Sequence, residues 1–254
     1  MKKTLVGLSM CIVILCTFGL AHATLLTIGT AQYDPDGVGG VDPIGKFNLI
    51  WDDDNNGNSV VWLDYTNGLN TWQNQLDWAL GLASKLKIKL FKGYTVAWED
   101  DSWRLPSMVD GPSVFGYKGP DENGDYNYTK GFNLANSEIG HLYYEELSNL
   151  GWLGTDGIYL GSGYGLLTTG SFDNLINWGW YWSGTEYAVS PDLAWMFHIT
   201  AGEQGLNIIS TDRGFGLALR SGEVSKSPVP EPTTILLFGT GLAGLAAVGR
   251  RKRD

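Results

Sequence analysis

Two uncharged runs stand towards opposite ends of the chain, with a polar, aromatic-rich body between them. Residues 5–20 are mostly apolar and follow Lys2 and Lys3. Residues 233–249 carry no charge and lead into Arg250, Arg251, Lys252 and Arg253. Inside the body, apolar positions recur twice with helical spacing. Trp72, Leu76, Ala79, Leu80 and Ala83 share one face, behind Asn70 or Thr71 as cap. Ser137 caps a second segment with Ile139, Leu142, Tyr143, Leu147 and Leu150 facing inward, and Gly151 stops it. Shorter aromatic and β-branched runs predict strands at 46–51, 59–65, 178–187, 194–200 and 214–220. Gly- and Asn-rich loops separate them. The pattern predicts an α+β body spanning 24–227 as one domain, with two helices and short, mostly antiparallel strands.

The flanking runs read as targeting segments. Residues 1–23 have the basic start, apolar core and small residues Ala21 and Ala23 of a signal peptide, so signal peptidase is expected to cut before Thr24. A retained anchor is the alternative. Cys11 and Cys16 both fall in this segment. Residues 24–227 therefore offer no thiolate nucleophile, thiolate metal site or disulfide. In the tail, Gly239, Gly241 and Gly244 fit G-x-G-x-x-G. A dinucleotide site also needs a following strand and an acidic residue about 20 positions on, within a βαβ unit. The run is read instead as a transmembrane helix over about 233–249, ~26 Å long against a ~30 Å hydrocarbon core. Its basic end is expected to stay cytoplasmic. Residues 228–254 thus form a third unit.

Charge narrows the partners. Residues 24–227 hold 25 acidic and 11 basic side chains. Such a surface repels phosphate backbones and excludes a nucleic-acid partner.

Several residue sets carry candidate chemistry. Asp52, Asp54, Asn56 and Gly57 match the front of a calcium loop, but the twelfth position is Leu63 rather than Glu. The choice is a small calcium turn or an acidic β-turn. Asp34, Asp36 and Gly37 make a shorter version. Trp178, Trp180 and Trp182 alternate, so a strand would aim all three at one face, either as a stacking platform for sugar rings or as a core layer. Arg104 is expected to hold a structural ion pair. His141 stands three residues after Glu138 and four before Glu145, on one helical face. Neither Ser162 nor Ser183 sits in a nucleophile elbow, and His198 is assigned no role. Glu99, Asp100 and Asp101 are acids for glycoside cleavage only if carboxylates pair across a cleft.

The tail resembles the PEP-CTERM sorting signal in Val229-Pro230-Glu231-Pro232, the uncharged run and the Arg250–Arg253 cluster, in that order. The resemblance implies an exosortase partner in the inner membrane of a Gram-negative, exopolysaccharide-making bacterium. It also implies tail removal and release to the cell surface or extracellular matrix. The body resembles the Lcl C-terminal-domain family through "SWRLPS", "SEIGHLYYEELSNLG", "YWSGTEYAVSPDLAWMFHITAGEQG" and "ALRSGEV". That resemblance implies a C-type-lectin-like fold, and one family member is an adhesin domain that binds sulfated polysaccharides. The expectation is an exported, non-catalytic binding or structural protein, with polysaccharide as ligand and no cofactor beyond calcium. The alternative is a secreted carbohydrate-active hydrolase using paired carboxylates.

Overall fold

The structure is a computed structural model that describes residues 25–34 and 45–227. Asp36, Gly37, the signal-peptide positions Ala21, Ala23 and Thr24, the motif Val229–Pro232 and the cluster Arg250–Arg253 lie outside the described residues.

The strands are β1 (Leu26–Tyr33), β2 (Gly45–Asn55), β3 (Asn58–Asn70), β4 (Leu86–Leu90), β5 (Tyr94–Trp98), β6 (Phe115–Gly116), β7 (Lys130–Phe132), β8 (Trp180–Glu186), β9 (Leu193–His198), β10 (Glu203–Ile208) and β11 (Gly214–Lys226). The helices are α1 (Trp72–Lys85) and α2 (Glu138–His141), the latter continued by a π-helical turn over Leu142–Glu146. Among the described residues strand accounts for 44% and helix for 12%, in one large mixed sheet. This overturns the expected α+β, C-type-lectin-like architecture with two substantial helices. The second helix shrinks to little more than two turns. Stretches without clear periodicity, such as β1, β4, β5 and β10, become strands because pairing partners recruit them.

Hairpin β2–β3 shows how sequence sets the centre. Asn56 and Gly57 both take positive φ, 52° and 79°, the pairing a two-residue turn of the I′ kind requires. Leu49 then opposes Leu63, and Ile50 opposes Trp62. Ile50, Val60 and Trp62 enter one core, while Leu49, Val61 and Leu63 enter the other. Both faces are buried, so residues 60–63 read as an unbroken apolar run rather than an alternation.

The sheet runs β4-β1-β2-β3-β11-β8-β9-β10-β7-β6, with β5 joined to β11. Strand β11 is its spine. Residues 214–221 pair with β3, and residues 222–226 pair with β5. On its other edge, Phe215 meets Tyr181 in a parallel contact and Leu219 exchanges two hydrogen bonds with Arg104, each 2.9 Å.

Helix α1 covers one face with Trp72, Gln75, Ala79 and Leu82. Leu80 and Ala83, assigned inward by periodicity, are exposed. Gln75 takes the inward position because the bulged strands beneath it need a polar partner. Its Nε2 donates to the carbonyls of Gly68 (2.7 Å) and Gly214 (2.8 Å), and its Oε1 accepts from Asn67 Nδ2 (2.7 Å). On the other face, Ser137 Oγ caps α2 by accepting from Gly140 N (3.1 Å). The chain then widens, with Leu147 N donating to Leu142 O, and Ser148 at φ 52° turns it away before Gly151.

Arg104 ties these layers together. Its Nη1 and Nη2 donate to the two carboxylate oxygens of Glu138, each at 2.6 Å. Ser107 N adds a third bond to Glu138 Oε2 at 2.6 Å. Planar, bidentate geometry and burial of Glu138 make this a strong pair. Replacing Glu138 with Ala is expected to destabilise the fold by about 3 kcal/mol, the low end for a broken buried pair because Arg104 stays one-third exposed. Urea unfolding checks it. A loss below about 1 kcal/mol would give the pair only a surface bridge's weight.

Candidate functional site

Where the β2–β3 turn meets α2, the surface opens into a polar cleft of about 520 Å³. Asn56 of the turn, Asp125 and Asn136 of the preceding loops, and His141 and Glu145 of the helix line it. A hollow of about 250 Å³ shares Tyr126, Ala135 and Glu145 with that cleft and reaches Leu150 and Thr155.

Beyond Leu150 the loop between the π turn and β8 forms an aromatic ledge. Ring centroids step from Phe115 to Phe132 (6.1 Å), Trp152 (6.5 Å), Tyr159 (5.6 Å) and Tyr164 (5.8 Å). Phe132 is buried and anchors the row, whereas Phe115, Trp152 and Tyr159 are each about half exposed. Backbone bonds hold the ledge: Trp152 N donates to Ala201 O (2.7 Å), and Leu160 N to Trp152 O (3.2 Å). Asn133, at φ 59°, donates its side-chain amide to Tyr117 O (2.7 Å) and Leu153 O (3.0 Å). Tyr144 closes the stitch by donating to Gly202 O and accepting from Asn133 N.

Behind the cleft lies a buried polar cluster. His141 Nε2 is 3.4 Å from Glu146 Oε1. The sequence pointed to Glu145 four residues on, but the π turn adds a residue per turn and puts Glu146 there instead. Glu138 serves Arg104, so of the trio Glu138, His141 and Glu145 only the last two line the cleft. Asp52 is fully buried, and its Oδ2 accepts from Asn55 Nδ2 (2.8 Å) and Trp62 Nε1 (3.1 Å). Asp52 Oδ1, Asn55 Oδ1, Asn136 Oδ1 and Glu146 Oε2 have no hydrogen-bond partner within the protein. Burial pushes the Asp52 carboxyl above its usual range; the Asn55 and Trp62 bonds oppose this and the Glu146 charge adds to it. Burial disfavours a charged His141, but Glu146, Asp52 and Glu145 outweigh it and raise the imidazole above 6.5.

The expected calcium residues separate. Asp52 points inside, Asp54 is exposed and accepts from Gly57 N (3.0 Å), and Asn56 stands on the cleft rim. Among the described residues, no group of three His, Cys, Asp or Glu side chains is arranged to hold a metal. The three tryptophans also separate. Gly179 at φ 85° breaks the alternation, so Trp178 is 55% exposed and packs edge-on against Phe215. Trp180 and Trp182 join the opposite core, Trp182 fully buried. His198 lies over Trp180 at 4.7 Å, and Ser183 Oγ donates to Trp195 O. Ser162, Glu99, Asp100 and Asp101 are on exposed loops, where Asp100 O accepts from Arg220. The ledge residues Trp152, Tyr159 and Tyr164 were missed. Their one signal was three rings among glycines in 151–165.

The comparisons with known proteins bear on the tail rather than on this surface. Residues 228–253 match the PEP-CTERM protein-sorting motif. That motif implies an exported protein sorted by exosortase. No family or homologue match supports the Lcl, C-type-lectin-like reading of the body. No curated protein and no solved structure matches the chain. Among the described residues no helix is long and apolar enough to cross a membrane; the run 233–249 lies outside them.

The His141 cluster gives a pH test. A base whose folded pKa is raised stabilises the fold fully below its unfolded value and loses that contribution as pH rises through the folded value. Relative to His141→Gln, the native chain is therefore expected to hold its largest advantage below pH 6.5 and to lose it on the alkaline side. Thermal melts of both proteins across this range check it. An advantage that grows with pH would refute the assignment.

Proposed function

We propose that the body is a non-catalytic module that binds polysaccharide at the cell surface or in the extracellular matrix. In this reading the run 233–249 anchors the precursor in the inner membrane until exosortase acts. One juxtaposition supports it: rings half-exposed at Phe115, Trp152 and Tyr159 are set in the same chain segments as Asn133, Leu150 and Thr155 of the hollow that adjoins a cleft lined by amides, carboxylates and an imidazole. Aromatic faces pack against the C–H faces of sugars, and a few convergent polar groups then fix orientation. Trp178, exposed on a different part of the sheet, is a separate contact rather than part of this row.

A polysaccharide panel tests the reading, with retention measured on the full chain. Trp152→Ala combined with Tyr159→Ala is expected to weaken retention roughly tenfold or more, equivalent to about 1.4 kcal/mol, with the melting temperature little changed. Retention on no polysaccharide would end the proposal. Asp125 and Glu145 both line the cleft and favour a second reading, glycan hydrolysis. Release of new reducing ends, abolished by Glu145→Gln, would replace binding with catalysis.

A further inference from the structure

The chain leaves its body at a corner unlike the rest of its surface. Ser227 N donates to Gly93 O (2.8 Å), and the sorting motif begins at the next residue. Phe91 N donates to Ile28 O (2.8 Å), so the start of β1, three residues from Leu25, reaches the same corner. Phe91 is 45% exposed and Ile88 37%. Around them stand Lys89, Lys92 and Lys226, all exposed. Lys87 and Lys89 alternate along β4, and Lys87, Gln32 and Lys46 are in register across three strands, so these lysines share one sheet face, on which Asn48 also meets Asp173. Lys46, Lys87, Lys89, Lys92 and Lys226 are thus five of the 11 basic residues in a body with 25 acidic ones. Glu223 is the exposed acid on the last stretch of β11.

We propose that this corner docks on anionic lipid while the tail is still attached. The inference rests on the membrane-anchored precursor proposed above. Residues 228–232 are the whole tether between Ser227 and the uncharged run, and five residues reach at most ~18 Å. The exit corner is therefore the part of the body that must face the bilayer. Lysines above anionic headgroups, with the partly exposed Phe91 and Ile88 at the interface, suit that position, whereas the acidic remainder is repelled. Charge complementarity and tether length together select lipid as the occupant. The ligand-facing ledge, at the β6–β7 end of the sheet order, is left pointing elsewhere.

The test uses the full chain with Cys11 and Cys16 replaced by Ser, carrying a fluorophore at Phe91→Cys or, as control, at Ile158→Cys. Each is reconstituted into phosphatidylethanolamine–phosphatidylglycerol vesicles containing brominated lipid, or into phosphatidylcholine vesicles containing the same quencher. Flotation reports anchoring, and quenching reports docking. The expected result is flotation in both lipids, with strong quenching at position 91 and little at 158 in the anionic vesicles. Each of Lys87→Gln, Lys89→Gln and Lys92→Gln should weaken docking roughly fivefold without changing flotation. Flotation with equal quenching at 91 and 158 overturns docking and leaves anchoring intact. Equal quenching at 91 in both lipids shows that the tether alone holds the body and also overturns it. Failure to float removes the anchored precursor and this inference with it.

Discussion

Strand β11 is hydrogen-bonded on both edges, and this double commitment organises the molecule. Its first half closes the β1–β2–β3 meander, and its second half carries β5. Its other edge receives β8 and the Arg104 backbone. A central strand of this kind must be apolar on both faces, which is why Phe215 and Leu217 enter one core and Ala218 the other. Two interior polar groups repair the irregularities this arrangement creates. Gln75 does so for the bulge at Gly214, and the Arg104–Glu138 pair does so between the sheet and α2.

Those repairs explain what the sequence could and could not reveal. Ser137 as a cap and the Asn56-Gly57 turn are local and were legible; the start of α1 was left between Asn70 and Thr71, and Thr71 takes the N-cap without a side-chain cap bond. Gln75 was illegible because two of its three partners are main-chain carbonyls, one of them 139 residues away. Glu146 was illegible because helical arithmetic assumes 3.6 residues per turn, and a π turn breaks that rule beside His141. The α+β expectation failed for a related reason. Short strands such as β4 and β10 have no periodicity of their own and exist only because a neighbour pairs with them.

The surface around the cleft was partly legible. His141 and Glu145 were singled out and both line it, while Asn56 was found for a different purpose. The ledge was not legible, since its rings come from three separate stretches, and only the fold brings Phe115, Phe132 and Trp152 together. The three alternating tryptophans show the converse error. A period of two assigns a common face only while every φ stays extended, and Gly179 reverses the handedness after Trp178.

The exit from β11 also has a mechanical side. A pull applied beyond Ser227 enters through the stretch of β11 that pairs with β5 alone and then meets the span bonded to β3 on one edge and to β8 and Arg104 on the other. Traction along that axis strains the β3 and β5 ladders in shear, many bonds at once, instead of peeling them singly. Any load reaching the body from the tail would thus be carried first by this strand and only then by its neighbours.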